Sequence, residues 1–153
     1  MNYKVSGLLS IVLVFIALGI IGYQLFLLSL IFGIIYSICI PIAFLFTMYH
    51  YCRKCHHASS KTCRHVILGL ITNKLFKPLG PSKYTMKDIF FSLFPLALLV
   101  ILPQYWLFQS ISLFIAFWIL MLVAVVIVRT AVCKRCENIN CTFCPNADKC
   151  DVK

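Results

Sequence analysis

Two long stretches of the chain, residues 5–52 and 89–128, contain no Asp, Glu, Lys or Arg. A helix that crosses a bilayer needs about 20 mainly apolar residues, and these stretches of 48 and 40 residues are each about twice as long. Backbone groups that face lipid must be paired within a helix or a closed barrel, so we predict two consecutive helices in each stretch. The pattern therefore predicts an all-α integral membrane protein with four transmembrane helices arranged as two hairpins.

Turn-forming and interfacial residues locate the break within each stretch. In the first stretch the best break is Gly22–Gln24, where Gln24 is strongly polar. In the second, Pro103–Trp106 combines a proline with aromatic residues that favour the headgroup level, and Gln109 and Ser110 follow it. The predicted spans cover about residues 5–22, 25–49, 88–105 and 109–129.

The chain outside the spans consists mainly of a loop at residues 50–87 and a tail at residues 130–153, both rich in cysteine. Within the loop, apolar residues of segment 66–76 recur with helical spacing, and Lys74 and Lys77 lie among them. This pattern predicts a short helix at the membrane surface, with its lysines toward acidic headgroups. Loop, tail and spans together are predicted to form one membrane domain.

The start of the third span carries a helix-capping signal. The sequence Thr85-x-x-Asp88 directly precedes the apolar run and follows a connector at residues 77–84 that is rich in Pro and Gly. In this pattern the threonine oxygen accepts a hydrogen bond from the third residue of the helix, whose acidic side chain bonds back to the cap. We therefore predict that Thr85 is the N-cap of the third span.

The basic residues lie outside the spans or at their ends. Lys4 lies near the start, eight Lys and Arg lie in residues 53–88, and five lie in residues 129–153. Four spans place these three segments on one side of the membrane, and the positive-inside rule makes that side the cytoplasm. We predict an integral protein of a plasma or inner membrane, with both termini in the cytoplasm.

The composition agrees with lipid as the main solvent. Hydrophobic residues make up 62% of the chain and charged residues 12%, against roughly 45–50% and about 25% in soluble domains. The net charge of +10 is also a property of many nucleic-acid-binding proteins. Because membrane topology already explains basic residues beside spans, the bilayer is the predicted partner and nucleic acid is not.

The nine cysteines carry the candidate chemistry. Cys39 lies in the second span, where a thiol acts as a small apolar residue. The other eight lie on the basic side, where a reducing cytoplasm disfavours structural disulfides. Cys-x-x-Cys spacing, which occurs three times, lets two sulfurs bind one ion from one tight turn. The predicted metal ligands are Cys52, Cys55, His56, Cys63, His65, Cys133, Cys136, Cys141, Cys144 and Cys150.

Zinc is the favoured metal because the loop also contains histidines. Cys52, Cys55 and Cys63 with one histidine would make a Cys3His site, and the tail cysteines would make a second site. Alternatively, the Cys52/Cys55 and Cys133/Cys136 pairs share one ion that ties the two hairpins together. The candidate histidines are His56, His57 and His65.

An iron–sulfur cluster is the alternative cofactor. Cys136, Cys141 and Cys144 have the C-x4-C-x2-C spacing of plant-type ferredoxins, and Pro145 follows the last of them. This resemblance covers only nine residues of the tail. It implies a thiolate-bound cluster at the same cytoplasmic face.

Other catalytic signals are scarce. The four acidic residues all lie outside the interior of the spans, whereas proton relays need ionisable groups at membrane depth. The chain contains no Walker loop, dinucleotide fingerprint, H-E-x-x-H or serine elbow. We therefore expect a membrane anchor or accessory subunit of a larger assembly, partnered by other membrane or cytoplasmic subunits, and not a free-standing enzyme. The alternatives are an iron–sulfur protein that passes electrons between a cytoplasmic partner and a quinone, and a soft-metal carrier or sensor that uses Cys39 and the tail.

Overall fold

The computed structural model describes residues 3–55, 66–80 and 82–135, and this part of the chain is helical without a strand. A 3-10 turn follows the second helix at Cys52–Lys54. A π turn at Val128–Val132 and a 3-10 turn at Cys133–Arg135 extend the last helix. The helices are α1 (Tyr3–Leu28), α2 (Leu30–His50), α3 (Val66–Leu75), α4 (Met86–Ile101), α5 (Gln104–Leu107) and α6 (Ile111–Ile127).

Four helical segments in the described chain are long and apolar enough to cross a membrane, which agrees with the predicted number. Their outward faces carry large apolar side chains such as Leu27, Ile31 and Leu122, which are 64–66% exposed. Lipid can solvate such faces, whereas a soluble protein would bury or replace them. The four segments are Val5–Leu28, Leu30–Lys54, Met86–Leu107 and Ile111–Val132.

The break between the first two helices falls at Ser29, so the prediction of a break at Gly22–Gln24 was wrong. Ser29, the single residue between α1 and α2, adopts an extended conformation with φ −161° and ψ 129°. Its N–H donates to the Leu25 carbonyl, and its own carbonyl accepts from the Gly33 N–H, so both backbone polar groups of Ser29 are paired. Gly22 lies inside α1 and faces α2, because a Cβ there would make an ordinary contact of 3.8 Å with the Tyr36 ring.

Helices α1 and α2 fold back on each other around Ser29. The ring of Phe26 lies directly against Gly33, and a Cβ at Gly33 would meet its ring carbons at 2.4 Å. Farther from the turn, Phe15 and Phe44 stack with their centroids 5.2 Å apart. Each pair joins residues about equally far from Ser29, so the two helices run antiparallel.

The second pair of long helices flanks the first pair. α4 packs mainly on α2, whereas α6 packs mainly on α1. Two hydrogen bonds join α2 to α4: Tyr36 Oη donates to the Leu99 carbonyl at 3.2 Å, and Thr47 Oγ1 donates to the Ser92 carbonyl at 3.2 Å. Such bonds between helices are valuable in lipid, where the hydrophobic effect does not drive helices together.

The second break lies close to its predicted position. α4 ends at Ile101, α5 forms one short turn, and α6 begins at Ile111. Gln104 fixes this connection, because its amide Nε2 donates to the Val100 carbonyl at 2.7 Å and its Oε1 accepts from Trp118 Nε1 at 3.2 Å. The polar side chain therefore has its hydrogen bonds within an apolar surrounding.

One hydrophobic core links the four long helices and α5. Phe117 of α6 is fully buried, and Ile21 of α1 and Leu107 of α5 are 1% exposed. Small residues lie where helices approach closely, as at Ala17, which is also fully buried. The buried core residues are Ala17, Leu18, Ile21, Leu25, Tyr36, Ala43, Leu99, Leu107 and Phe117.

Candidate metal-binding face

Both segments that begin the predicted metal site lie at the same end of the helices. α2 ends beside the start of α4, as the Thr47–Ser92 bond shows. α5 lies near the opposite end, where Trp106 approaches Phe32 with ring centroids 6.0 Å apart. α6 starts there and runs back over 17 residues, about 25 Å, so Cys133 returns to the end that carries Cys52.

The first Cys-x-x-Cys motif forms the tight turn that its spacing predicts. Cys52–Lys54 is a 3-10 turn, and the Cys55 N–H donates to the Cys52 carbonyl at 3.1 Å. Both cysteines are partly exposed. The turn begins two residues after α2 ends at His50, so its position relative to the helix is narrowly defined. This backbone is suited to presenting two thiolates to one ion.

Contacts with the connector hold this turn in place. Arg53 Nε donates to the Lys77 carbonyl at 3.1 Å, and the Leu79 N–H donates to the Arg53 carbonyl at 3.0 Å. The Arg53 guanidinium also lies 4.4 Å from the centre of the Tyr49 ring, a cation–π contact. The Arg53 side chain thus joins the turn to both the connector and α2.

An ion pair joins the same turn to the start of α4. Lys54 Nζ donates to Asp88 Oδ2 at 2.5 Å, and the two side chains are only 22% and 10% exposed. Asp88 Oδ2 also accepts from the Thr85 N–H at 2.9 Å, and Thr85 Oγ1 accepts from the Asp88 N–H at 3.3 Å. This reciprocal cap confirms the predicted N-cap at Thr85. The Lys54 charge is thus neutralised by a carboxylate, which sequence reasoning did not foresee.

Aromatic stacking adds another contact between the turn and the connector. Tyr51 and Tyr84 lie with ring centroids 4.3 Å apart and nearly parallel. The connector itself turns at Gly80, whose φ of +81° lies in the left-handed region that glycine adopts easily. No local sequence signal predicts the Tyr51–Tyr84 pair, because 33 positions separate the two residues. Together with the Lys54 and Arg53 contacts, it anchors the first cysteine motif.

The second Cys-x-x-Cys motif also starts as a turn directly after a long helix. Its first cysteine, Cys133, begins a 3-10 turn that follows the π turn at the end of α6. Its thiol is partly exposed. The remaining predicted ligands lie outside the described residues: His56, His57, Cys63, His65, Cys136, Cys141, Cys144 and Cys150. Within residues 3–55, 66–80 and 82–135, no three His, Cys, Asp or Glu side chains come together as a metal site.

Cys39 lies away from these motifs. It is exposed on α2, 13 residues and thus about 20 Å of helix before Cys52. It lines an apolar groove of about 530 Å³ between α2 and α4, together with Pro95 and Trp106. The structure therefore separates Cys39 from the other described cysteines.

Comparisons of the chain with protein-family models, curated proteins and solved structures gave no match.

Proposed function

We propose that this protein is a small integral membrane protein whose loop and tail bind a metal ion through Cys and His side chains, with zinc as the metal. The metal organises one face of the helices, and the protein acts as an anchor or accessory subunit of a larger membrane assembly. In this proposal the bilayer is the first partner and other protein subunits are the second.

One observation carries the metal proposal. Two Cys-x-x-Cys motifs, 81 positions apart in the sequence, each start in a tight turn just after a long apolar helix. Both turns lie at the same end of the helices. Two such turns can supply the four sulfurs of a tetrahedral thiolate site, each about 2.3 Å from the ion. The shared end supports a centre that draws ligands from the loop and the tail.

The membrane topology is part of the same proposal. The four apolar helices would cross the bilayer as two hairpins, with the loop, the tail and both termini in the cytoplasm of a plasma or inner membrane. The support is that in the sequence every Lys and Arg lies in one of the three segments that four spans would place on one side, as the positive-inside rule requires. In a reducing cytoplasm the thiols remain available to a metal.

Elemental analysis and the absorption spectrum of anaerobically purified protein test the metal proposal. We expect a colourless protein with about one or two zinc ions per chain, the range set by a shared or a divided set of ligands. A brown protein with absorption near about 400 nm would replace zinc with the iron–sulfur alternative. Less than about half an equivalent of any metal would overturn the proposal.

Serine substitutions locate the metal in the chain. Cys52→Ser and Cys133→Ser should each lower the bound zinc, because each removes a ligand from the proposed centre. Cys39→Ser is the matched control and should retain the wild-type metal content, because Cys39 lies in the apolar groove. Loss of metal in the Cys39 variant alone would contradict the proposal and support a carrier that binds metal within the membrane.

A further inference from the structure

A second groove lies under α3 and runs between α1 and α2. Its volume is about 340 Å³, within the roughly 300–1,000 Å³ of ligand-binding clefts. Along α2 it extends from Met48 to Ile40, eight residues or about 12 Å. All eight lining residues are apolar: Ile11, Phe15, Ile40, Pro41, Phe44, Leu45, Met48 and Ile71.

A basic residue lies close to one end of this groove along α3. Ile71 of α3 lines the groove at the end nearest the cysteine turns. Lys74 follows one helical turn later, on the same side of α3, and is exposed. Residues three apart on a helix have Cβ atoms only about 5–6 Å apart, so the charge of Lys74 lies on the same side of α3 as Ile71. The groove is therefore apolar along its length and has a positive charge close to its Ile71 end.

No acidic side chain in the described residues competes for this charge. Asp88 is the only acid in this part of the chain, and it bonds to Lys54. Lys77 is exposed on the connector that follows α3 and adds positive charge at the same end. The surroundings of Lys74 thus favour an anionic ligand group.

We propose that this groove binds an anionic glycerophospholipid. One acyl chain lies along Phe44 and Leu45 in the groove, and the headgroup phosphate lies at Lys74. The charge selects an anionic headgroup, and the apolar length requires a chain that a free phosphate lacks. The inference rests on the membrane part of the proposed function and not on the metal.

Native mass spectrometry in a neutral detergent tests this site, with phosphatidylglycerol and phosphatidylcholine added in equal amounts. We expect wild-type protein to retain phosphatidylglycerol about fivefold more than phosphatidylcholine, since one Lys near an anionic surface contributes about that factor. Lys74→Gln should reduce this ratio to about one. Lys87→Gln is the matched control and should keep it, because no α4 residue lines the groove.

Two results would overturn the lipid site. One is an unchanged ratio of the two lipids in Lys74→Gln. The other is an equal fall of this ratio in Lys74→Gln and Lys87→Gln, which would show a general effect of surface charge.

Ile11→Trp tests the apolar part of the site, because the larger side chain fills the groove. This variant should also lose phosphatidylglycerol while its melting temperature stays near that of the wild type. Retained lipid would contradict acyl-chain binding. The same spectra show whether the protein carries a metal ion. Protein with zinc but no lipid preference would refute the lipid site alone. Lipid-bound protein without metal would refute the metal proposal alone.

Discussion

At the residue scale, the start of α4 shows what the sequence can and cannot predict. The Thr85–Asp88 cap was predictable because its partners lie three positions apart and the motif is local. The Lys54–Asp88 ion pair was not, because 34 positions separate the two residues and only the packing of α2 against α4 brings them together. Contacts between neighbouring residues could be predicted from the sequence, whereas contacts between distant residues could be identified only from the structure.

Asp88→Asn tests the ion pair. The substitution leaves the partly buried Lys54 ammonium without a carboxylate, so we expect a loss of about 1–3 kcal/mol, between the values for exposed and buried pairs. Thr85→Ala removes the cap without the charge and should cost about 1 kcal/mol. The measurement is the free energy of unfolding in detergent micelles.

The exposed Lys87 on the same turn of α4 provides the control for the loss of a charge. Lys87→Gln should change stability by no more than about 0.5 kcal/mol. A double-mutant cycle with Lys54→Gln isolates the pair. If the effects of Lys54→Gln and Asp88→Asn simply add, the two side chains do not stabilise each other and this description of the turn is wrong.

At the scale of helices, the number of long apolar segments was predictable and the position of one break was not. Length and composition predicted four such segments, because each stretch without Asp, Glu, Lys or Arg is about twice as long as one membrane span. The break at Ser29 was missed because a single extended residue ends α1 and starts α2. The contact of the Phe26 ring with Gly33 beside this break was not predictable either, because no local sequence pattern marks it.

Gly33→Ala tests this fold-back. A Cβ at Gly33 would overlap the Phe26 ring, so we expect a loss of about 1–3 kcal/mol in unfolding free energy. The matched control is Gly19→Ala on α1, where a Cβ meets nothing within 4 Å. There alanine should stabilise the helix by up to about 1 kcal/mol. Phe26→Ala combined with Gly33→Ala should cost less than the two single changes added; strict additivity would contradict the contact.

At the scale of the whole molecule, the packing order of the helices could not be predicted from the sequence. That α4 lies against α2 and α6 against α1 depends on side-chain fit and on two specific hydrogen bonds between α2 and α4. For the candidate site, the sequence correctly predicted the first Cys-x-x-Cys turn from its spacing. The contacts of Arg53, Lys54 and Tyr51 that hold this turn could only be seen in the structure.

Trypsin digestion of sealed vesicles of known orientation tests the topology. Every Lys and Arg lies at residue 4, within 53–87 or within 129–153, and the two opposite turns have none. Trypsin added to the cytoplasmic face should therefore cleave the chain, and trypsin added to the other face should leave it intact. Digestion in detergent is the control for cleavable sites. Cleavage from both faces would contradict two hairpins with their basic segments on one side.

The central claim is that cysteine sulfurs at one end of the helices hold a metal ion, and X-ray absorption at the edge of the bound metal tests it most directly. We predict three or four sulfur ligands at about 2.3 Å for zinc, with any remaining ligand a histidine nitrogen at about 2.0–2.1 Å. A ligand shell of oxygen and nitrogen alone, without sulfur, would contradict the claim.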